Sequence, residues 1–422
     1  MENKNQVPVQ VASEVGELEG VIFHKPGKEV ENMTPGNAEK ALYSDILNLE
    51  VANNEYSDFN TVLSSITKTY EVRDLLAEVL VDEEVKKSLV DTICTNEKQP
   101  KIADYLYSLN PVELARQLFE GVLLKRDNLT NFLSKNRYIL NPLPNFYFMR
   151  DASMSVGNDV LIGKMANQVR DRESIIMDTI FRCHPSFGVN TLNPFKSTVI
   201  DPKDITIEGG DVLVANENTI LIGLGGRTTS HGVDYLIEHY RITKKNFNII
   251  IQELPPKPES FIHLDMVFTF LDINKCMVYE PLILKSNSFE TVAIKIRGGK
   301  VTFAYEKNLI EALSKIGHDV EPLICGGRDD VWNQEREQWH SGTNFFAVGP
   351  GKVFGYARNY HTMDELSNNG FSVIAARDIV SKKVDLKDYN KYCVAIEGSE
   401  LSRGGGGCRC MTMPIKRKAI VK

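Results

Sequence analysis

Glu208-Gly-Gly-Asp-Val-Leu-Val-Ala-Asn-Glu-Asn-Thr-Ile-Leu-Ile-Gly223 joins a carboxylate-rich glycine turn to two apolar runs with a polar turn between them. Short apolar runs split by turn residues read as a β-hairpin. The same plan stands upstream, where Asp151 precedes Ala-Ser-Met-Ser-Val, a Gly157-Asn158 turn and Val-Leu-Ile-Gly163. It recurs downstream, where Asp265 precedes Met-Val-Phe-Thr-Phe, an Asp-Ile-Asn-Lys turn and Cys-Met-Val-Tyr279. Asp151, Glu208 and Asp265 follow one another at equal intervals of 57 residues. A fourth hairpin follows Gly342-Thr343-Asn344 and turns at Gly349-Pro350-Gly351, and helix-like segments such as 308–316 and 363–368 lie between the hairpins. Strand-built repeats of this length predict an α/β propeller-like array. Equivalent positions of successive blades converge on the axis of such an array, which places Asp151, Glu208 and Asp265 around one cavity.

Outward from this repeat the texture changes on both sides. Residues 9–24 alternate into a buried strand that turns at Pro26-Gly27, and 36–70 read as helix, with Leu42, Ile46, Leu49 and Val51 near helical spacing. From 72 to 135 apolar residues recur at helical intervals (Val72, Leu75, Leu76, Val79, Val85, Leu89, Ile93, then Leu114, Leu118, Val122, Leu129) with glycine nearly absent, which predicts an all-helical bundle. Asn110-Pro111-Val112-Glu113 marks a helix start, with Asn as cap, Pro in the first turn and Glu113 placed to reach back. Beyond the last hairpin, Ser402–Pro414 carries four consecutive glycines and then Cys408-Arg409-Cys410. A thiol beside a cation loses its proton more readily, and the thiolate is the nucleophile. The loop is therefore expected to present a reactive cysteine to the cavity of the repeats.

Composition limits the partners. A chain of 422 residues can bury a large core, and 42% apolar with 25% charged residues is ordinary for a globular protein. The net charge of −7 argues against nucleic acid or an anionic membrane surface and accords with a cationic substrate. No apolar run approaches the ~20 residues that span a bilayer. Seven cysteines, sparse and odd in number, point to reduced thiols, hence a soluble cytoplasmic protein.

A cavity with three carboxylates, His263 and a thiol admits two chemistries. All four residue types ligate metals, although Cys408-Arg-Cys410 has no second Cys/His pair to complete a structural zinc site. The other reading is nucleophilic attack on a cation. Crowded carboxylates raise one another's pKa unless a positive ligand compensates. A guanidinium offers five N–H donors that match two carboxylates, and its electron-poor carbon is open to a thiolate. Bound cation and thiolate would then favour each other.

These residues resemble the bacterial arginine deiminases, within the guanidine-modifying, amidinotransferase-like superfamily. The resemblance rests on Asn145-x-x-Phe148-Met-Arg150-Asp151, Arg170 before Arg172-Glu173-Ser174, Glu208-Gly-Gly-Asp211, Arg227-Thr-Thr, His263-Leu-Asp265, Arg336-Glu-Gln-Trp339 and Cys410-Met-Thr-Met-Pro414, in order along nearly the whole chain. It implies a five-bladed α/β propeller of the pentein type over 1–71 and 136–422, with 72–135 as an inserted helical bundle. It implies hydrolysis of L-arginine to L-citrulline and ammonia through a covalent thiouronium on Cys410, with no metal or organic cofactor and with a homo-oligomer as the expected state. Asp151 and Asp265 would grip the guanidinium, and Glu208 and His263 would move protons. Arg170, Arg227 and Asn145 would hold the substrate's carboxylate and backbone, and Phe148 would wall the pocket. An amidinotransferase or a methylarginine hydrolase is the alternative activity within the superfamily. Three positions depart from the family pattern: Met149 stands where Thr is usual, Cys408 where Ala or Gly is common, and Gly405 where some members carry a gating Arg.

Overall fold

The computed structural model describes residues 7–33 and 45–420. Its first strand, β1 (Leu18–Phe23), is followed by the helix Leu49–Ile66 and by β2 (Lys68–Glu71), which lies parallel to β1. The helix expected over 36–70 is thus shorter at both ends. Asn48 caps it by accepting from the Val51 amide at 3.1 Å, and residues 36–44, Leu42 included, lie outside the described residues.

Helices Val72–Val79, Glu83–Asn96, Ala103–Ser108 and Pro111–Glu120 come next. Asn110 accepts from the Glu113 amide at 2.9 Å, as its capping role requires. The Glu113 carboxylate does not reach back; it accepts from Arg116 and Gln117 instead, because a cationic partner one turn on outcompetes a neutral amide. The segment 72–135 is not helical throughout. Gly121 ends the last long helix at φ +86, and β3 (Val122–Leu123) pairs with β4 (Tyr138–Leu140). Leu129, expected on the apolar face, is 72% exposed on a short helix, Leu129–Leu133, that buries nothing. Leu76, Leu89, Ile93 and Leu118 share one core cluster with Ile176, Ile180 and Phe181 of the helix Asp171–Cys183.

The hairpins read from the repeat are present, and each recruits a further strand. β5 (Ser153–Val156) and β6 (Asp159–Ile162) are antiparallel, with β7 (Thr191–Leu192) parallel to β6. β8 (Val212–Asn216) and β9 (Thr219–Leu224) are antiparallel, with β10 (Asn246–Glu253) parallel to β9. β11 (Phe268–Asp272) and β12 (Lys275–Val278) are followed by β13 (Thr291–Arg297) and β14 (Lys300–Glu306), which extend the β10 edge, and by β15 (Glu321–Ile324), which is parallel to β12. β16 (Phe346–Gly349) and β17 (Lys352–Tyr356) are antiparallel, and β18 (Ser372–Ala375) flanks β19 (Tyr392–Ile396), which runs parallel to β17. A fifth sheet joins the two ends of the chain: β20 (Met413–Arg417) is antiparallel to β1, and β2 is parallel to β1. Five sheets thus repeat one topology, an antiparallel pair with a third strand parallel to its second member. Helices cover them; Val233, Leu236 and Tyr240 of Ser230–Thr243 pack on Ile220, Ile222, Ile249 and Ile251. No helix among the described residues is long and apolar enough to cross a membrane.

The sheets meet at a buried group of charges. Residues 9–17, read as alternating strand, make only isolated bridges, so Glu14 is free to turn inward. Its carboxylate accepts from Arg409 Nε at 3.1 Å and Nη2 at 3.0 Å, and from the Val214 amide at 3.2 Å. Burial pushes the Glu14 carboxyl up, but Arg409 and Arg150 outweigh it and hold it at about 2. A folded pKa below the unfolded value means that this stabilisation is complete above about 4.5 and is lost as pH falls through about 2. Glu14→Gln is expected to cost about 3–5 kcal/mol, the usual result of breaking a buried pair. Urea unfolding at pH 7 measures it, and a cost below about 1 kcal/mol would contradict the arrangement.

Candidate active site

A residue two to four positions ahead of an outer antiparallel strand in each of the five sheets points to a shared centre. Asp151 precedes β5, Glu208 precedes β8, Asp265 precedes β11, Asn344 precedes β16 and Cys410 precedes β20. All five are buried. The approach is tight. A Cβ at Gly209 would lie 2.0 Å from the Arg150 carbonyl oxygen, and one at Gly210 would lie 2.3 Å from His263 Nδ1. Only glycines let the Glu208 turn pass there.

A cavity of about 260 Å³ opens onto this centre, with Asn145, Phe148, Asp151, Arg170, Arg227, His263 and Cys410 in its wall. Trp339 and Gly404–Gly406 form part of its rim. Glu208 and Asp265 stand behind the wall. Glu208 Oε2 lies 2.9 Å from His263 Nε2, while Oε1 accepts from the Ala166 amide at 2.9 Å and lies 3.7 Å from Arg227 Nη1. Asp265 Oδ2 accepts from Arg409 Nη1 at 2.8 Å and from the Cys410 thiol at 3.6 Å. Asp151 Oδ2 accepts from Arg170 Nη1 at 2.7 Å, and Glu173 holds the far side of the same guanidinium at 2.8 Å. Asp151 and Asp265 are therefore similar: each has one oxygen on an arginine, and its other oxygen, Oδ1, is buried with no hydrogen bond among the described residues, though Asp151 Oδ1 lies 3.7 Å from His263 Nδ1.

Electrostatics sort these groups. Burial works against a charged His263, but Asp151, the bond to Glu208 and Asp211 prevail and raise it to about 9. Burial likewise opposes ionised Glu208, and the His263 contact, with Arg227 and Arg170, overcomes it and holds the carboxylate low. The two form a buried ion pair. Cys410 goes the other way. Burial, then Asp265 and Asp151, push its thiol well above the ordinary value. This corrects the expectation that Arg409 would draw the proton from its neighbour: the guanidinium turns away from the sulfur to Glu14, Asp265 and the Val212 carbonyl. Cys408 is fully buried and is not among the cavity-lining residues.

Asp151, Glu208 and His263 present ligand atoms within 4.8 Å of one another. Asp151 is already paired with Arg170, and Glu208 with His263 Nε2, so two of the three groups have their charge engaged within the protein. The donor set suits an organic cation better. Sequence reasoning did not single out Asn344, Glu14 or Glu173 as members of the site. Asn344 Oδ1 accepts from the Arg409 and Cys410 amides at 2.9 and 3.2 Å, and its Nδ2 donates to Cys410 Sγ at 3.2 Å. The available signal was its position, directly ahead of the fourth hairpin.

The family model described as "Arginine deiminase" matches residues 39–417. The arginine deiminase of Bacillus thuringiensis subsp. konkukian (strain 97-27) is 34% identical, with 98% of this chain and 99% of that protein covered. Among solved structures, SxtG, an amidinotransferase of the saxitoxin pathway of Microseira wollei, is 13% identical with a TM-score of 0.53 and 99% of each chain covered. The product-bound N-terminal domain of ArgZ, an arginine dihydrolase from Cyanobacteria, is 12% identical with a TM-score of 0.52, covering 94% of this chain and 97% of that one. At these identities the two structures establish likeness of fold.

Alkylation of the unliganded protein by neutral iodoacetamide tests the buried thiol. Labelling of Cys410 is expected to keep rising with pH past the range in which an ordinary thiol levels off, with Cys408 unlabelled. A plateau near neutrality would contradict it. Asn344→Ala is expected to lower turnover roughly 10–100-fold in steady-state assays, as loss of an orienting partner does at other sites. Unchanged turnover would mean that Asn344 does not orient the thiol.

Proposed function

The chain belongs to the arginine deiminase family, and from this we propose how its residues hydrolyse L-arginine to L-citrulline and ammonia. The observation that carries the reading is a pair of buried oxygens, Asp151 Oδ1 and Asp265 Oδ1, that accept no hydrogen bond among the described residues and belong to the group that surrounds Cys410. A buried carboxylate oxygen left without a donor is costly, and a planar guanidinium supplies donors to both at once. Phe148 walls the cavity, and Arg227 with Asn145 receives the substrate's carboxylate and backbone. Arg170 serves that carboxylate while it stays clamped to Asp151 and Glu173. We read the five sheets as the five blades of a pentein-type propeller, supported by their common topology. The blades comprise 1–71 and 136–422, and 72–135 is an appended, mainly helical unit. A reducing cytoplasm suits a free thiol nucleophile.

Entry of the cation offsets the two aspartates, so the Cys410 proton passes to solvent water on binding. The thiolate then forms a bond to the guanidinium carbon. His263 gives its proton to the departing nitrogen, the C–N bond breaks, and ammonia leaves a thiouronium on sulfur. Water adds to the same carbon as neutral His263, oriented by Glu208, takes one of its protons. The C–S bond breaks, sulfur departs with its electron pair, and the protonated ureido group gives its proton to that sulfur, which restores the Cys410 thiol and leaves citrulline.

Citrulline and ammonia release from free L-arginine, with and without EDTA, tests the activity, and methylated arginines separate it from a methylarginine hydrolase. Cys410→Ser is expected to abolish turnover in a folded protein. Arg227→Ala is expected to raise KM roughly 10–100-fold, equivalent to a charged hydrogen bond of about 1.5–3 kcal/mol. Since His263 holds its proton up to about 9, kcat/KM should fall as pH rises through that value. Full activity in Cys410→Ser, or loss of activity on chelation, would overturn the thiol mechanism.

A further inference from the structure

We propose that Asp211, held by Thr228, is a positioning residue for His263: it ties the backbone beside the imidazole to the Glu208 turn and keeps a fixed negative charge near the ring. The proposal rests on the assignment of His263 as the group that moves the proton. Asp211 is the third residue after Glu208, in the turn Gly209–Asp211 that leads into β8, and its amide donates to the Glu208 carbonyl at 3.1 Å. Its side chain is fully buried and is not part of the wall of the catalytic cavity.

Both of its carboxylate oxygens are committed. Oδ1 accepts from the Leu264 amide at 2.9 Å, one residue beyond His263, and Oδ2 accepts from the Thr228 hydroxyl at 2.6 Å. Thr228, the residue after Arg227, accepts in turn from the Glu208 amide at 3.3 Å. The Glu208 turn and the His263 turn are thereby joined twice, by the 2.9 Å contact of their side chains and by Asp211. β9 leaves room for this, since a Cβ at Gly223 would lie 2.2 Å from Asp211 Oδ1. Asp151 and Asp265 differ, because each keeps one oxygen that accepts no hydrogen bond among the described residues. Those two suit a guanidinium. Asp211, bonded at both oxygens and away from the cavity wall, acts on the reaction only through its neighbours.

Charge gives the tether a second effect. Around the imidazole, Asp151 Oδ1 lies 3.7 Å from Nδ1 and Glu208 Oε2 lies 2.9 Å from Nε2. Arg170 pairs with Asp151, and Arg227 stands 3.7 Å from Glu208, so both of those acids share their charge with an arginine. Asp211 is bonded to no arginine or lysine, and the cation that bears on it is His263. Burial, with some help from Glu208, pushes its carboxyl up to about 7, while His263, the Thr228 hydroxyl and the Leu264 amide favour the anion. Asp211 is therefore ionised between about 7 and about 9, the range over which His263 keeps a proton that an ordinary imidazole has lost.

Asp211→Asn keeps an acceptor for the Leu264 amide and removes the charge. Two readouts test it. One is the pH profile of kcat/KM for L-arginine. The other is the titration of the His263 ring in the unliganded protein, followed by NMR with isotope-labelled histidine and identified by the signal lost in His263→Gln. In the wild type both are expected to centre near pH 9. In Asp211→Asn both are expected to move down by about one pH unit or more, the scale of a nearby opposite charge. Thr228→Val is expected to move them the same way, and Thr228→Ser to restore the wild-type value. A folded Asp211→Asn whose ring titrates at the wild-type pH would overturn the proposal, since a purely structural tether leaves the ring's proton affinity alone. Thr228→Val decides the matter by the same criterion if the asparagine variant does not fold. Absence of citrulline from the wild type would defeat the assigned reaction instead, and the ring titration would still decide the role of Asp211.

Discussion

Arg409 holds the molecule together at its centre. Its guanidinium binds Glu14 from the N-terminal segment, Asp265 ahead of β11 and the Val212 carbonyl at the start of β8. One buried side chain thereby ties the first residues of the chain, two of the five sheets and the loop that carries the reactive sulfur. The cost of desolvating such a cation is large and is met only because every partner is in place. Removing one partner disturbs the fold and the site together, and the Arg409 and Cys410 amides, both bound by Asn344, transmit any change to the sulfur.

The same clasp explains a quiet resting state. A thiol that is buried, faced by two carboxylates and denied the neighbouring guanidinium keeps its proton. Reactive thiols draw oxidants and stray electrophiles. In the proposed mechanism the sulfur is activated only when a cation offsets Asp151 and Asp265, and so escapes both. Under that mechanism specificity and activation have one origin, since the ligand that fits Asp151 Oδ1 and Asp265 Oδ1 is also the one that releases the nucleophile.

Local pattern was readable in the sequence, and long-range partnership was not. The four hairpins announced themselves through apolar runs and turn residues, and the even spacing of Asp151, Glu208 and Asp265 reflected their common place ahead of a strand. The fifth sheet left no such mark, because β20 and β1 come from opposite ends of the chain. Asn344 looked like an ordinary turn residue, and Glu14 like the polar position of an alternating strand. The direction of Arg409 was illegible for a similar reason: adjacency in sequence placed a cation beside the thiol, while the buried carboxylates that attract it lie far away in the chain. Leu129 kept helical spacing but had no neighbour to cover it once the chain turned into β3 and β4.

In the proposed mechanism the substrate carbon becomes bonded to Cys410 before water arrives. The direct measurement is acid quench of the protein during turnover of L-arginine labelled with carbon-13 at the guanidinium carbon, followed by peptide mass spectrometry with fragmentation. A labelled amidino adduct is expected on Cys410, present only while substrate remains and absent from Cys408. Citrulline formation with no labelled peptide at any quench time, or with the label on another residue, would contradict it.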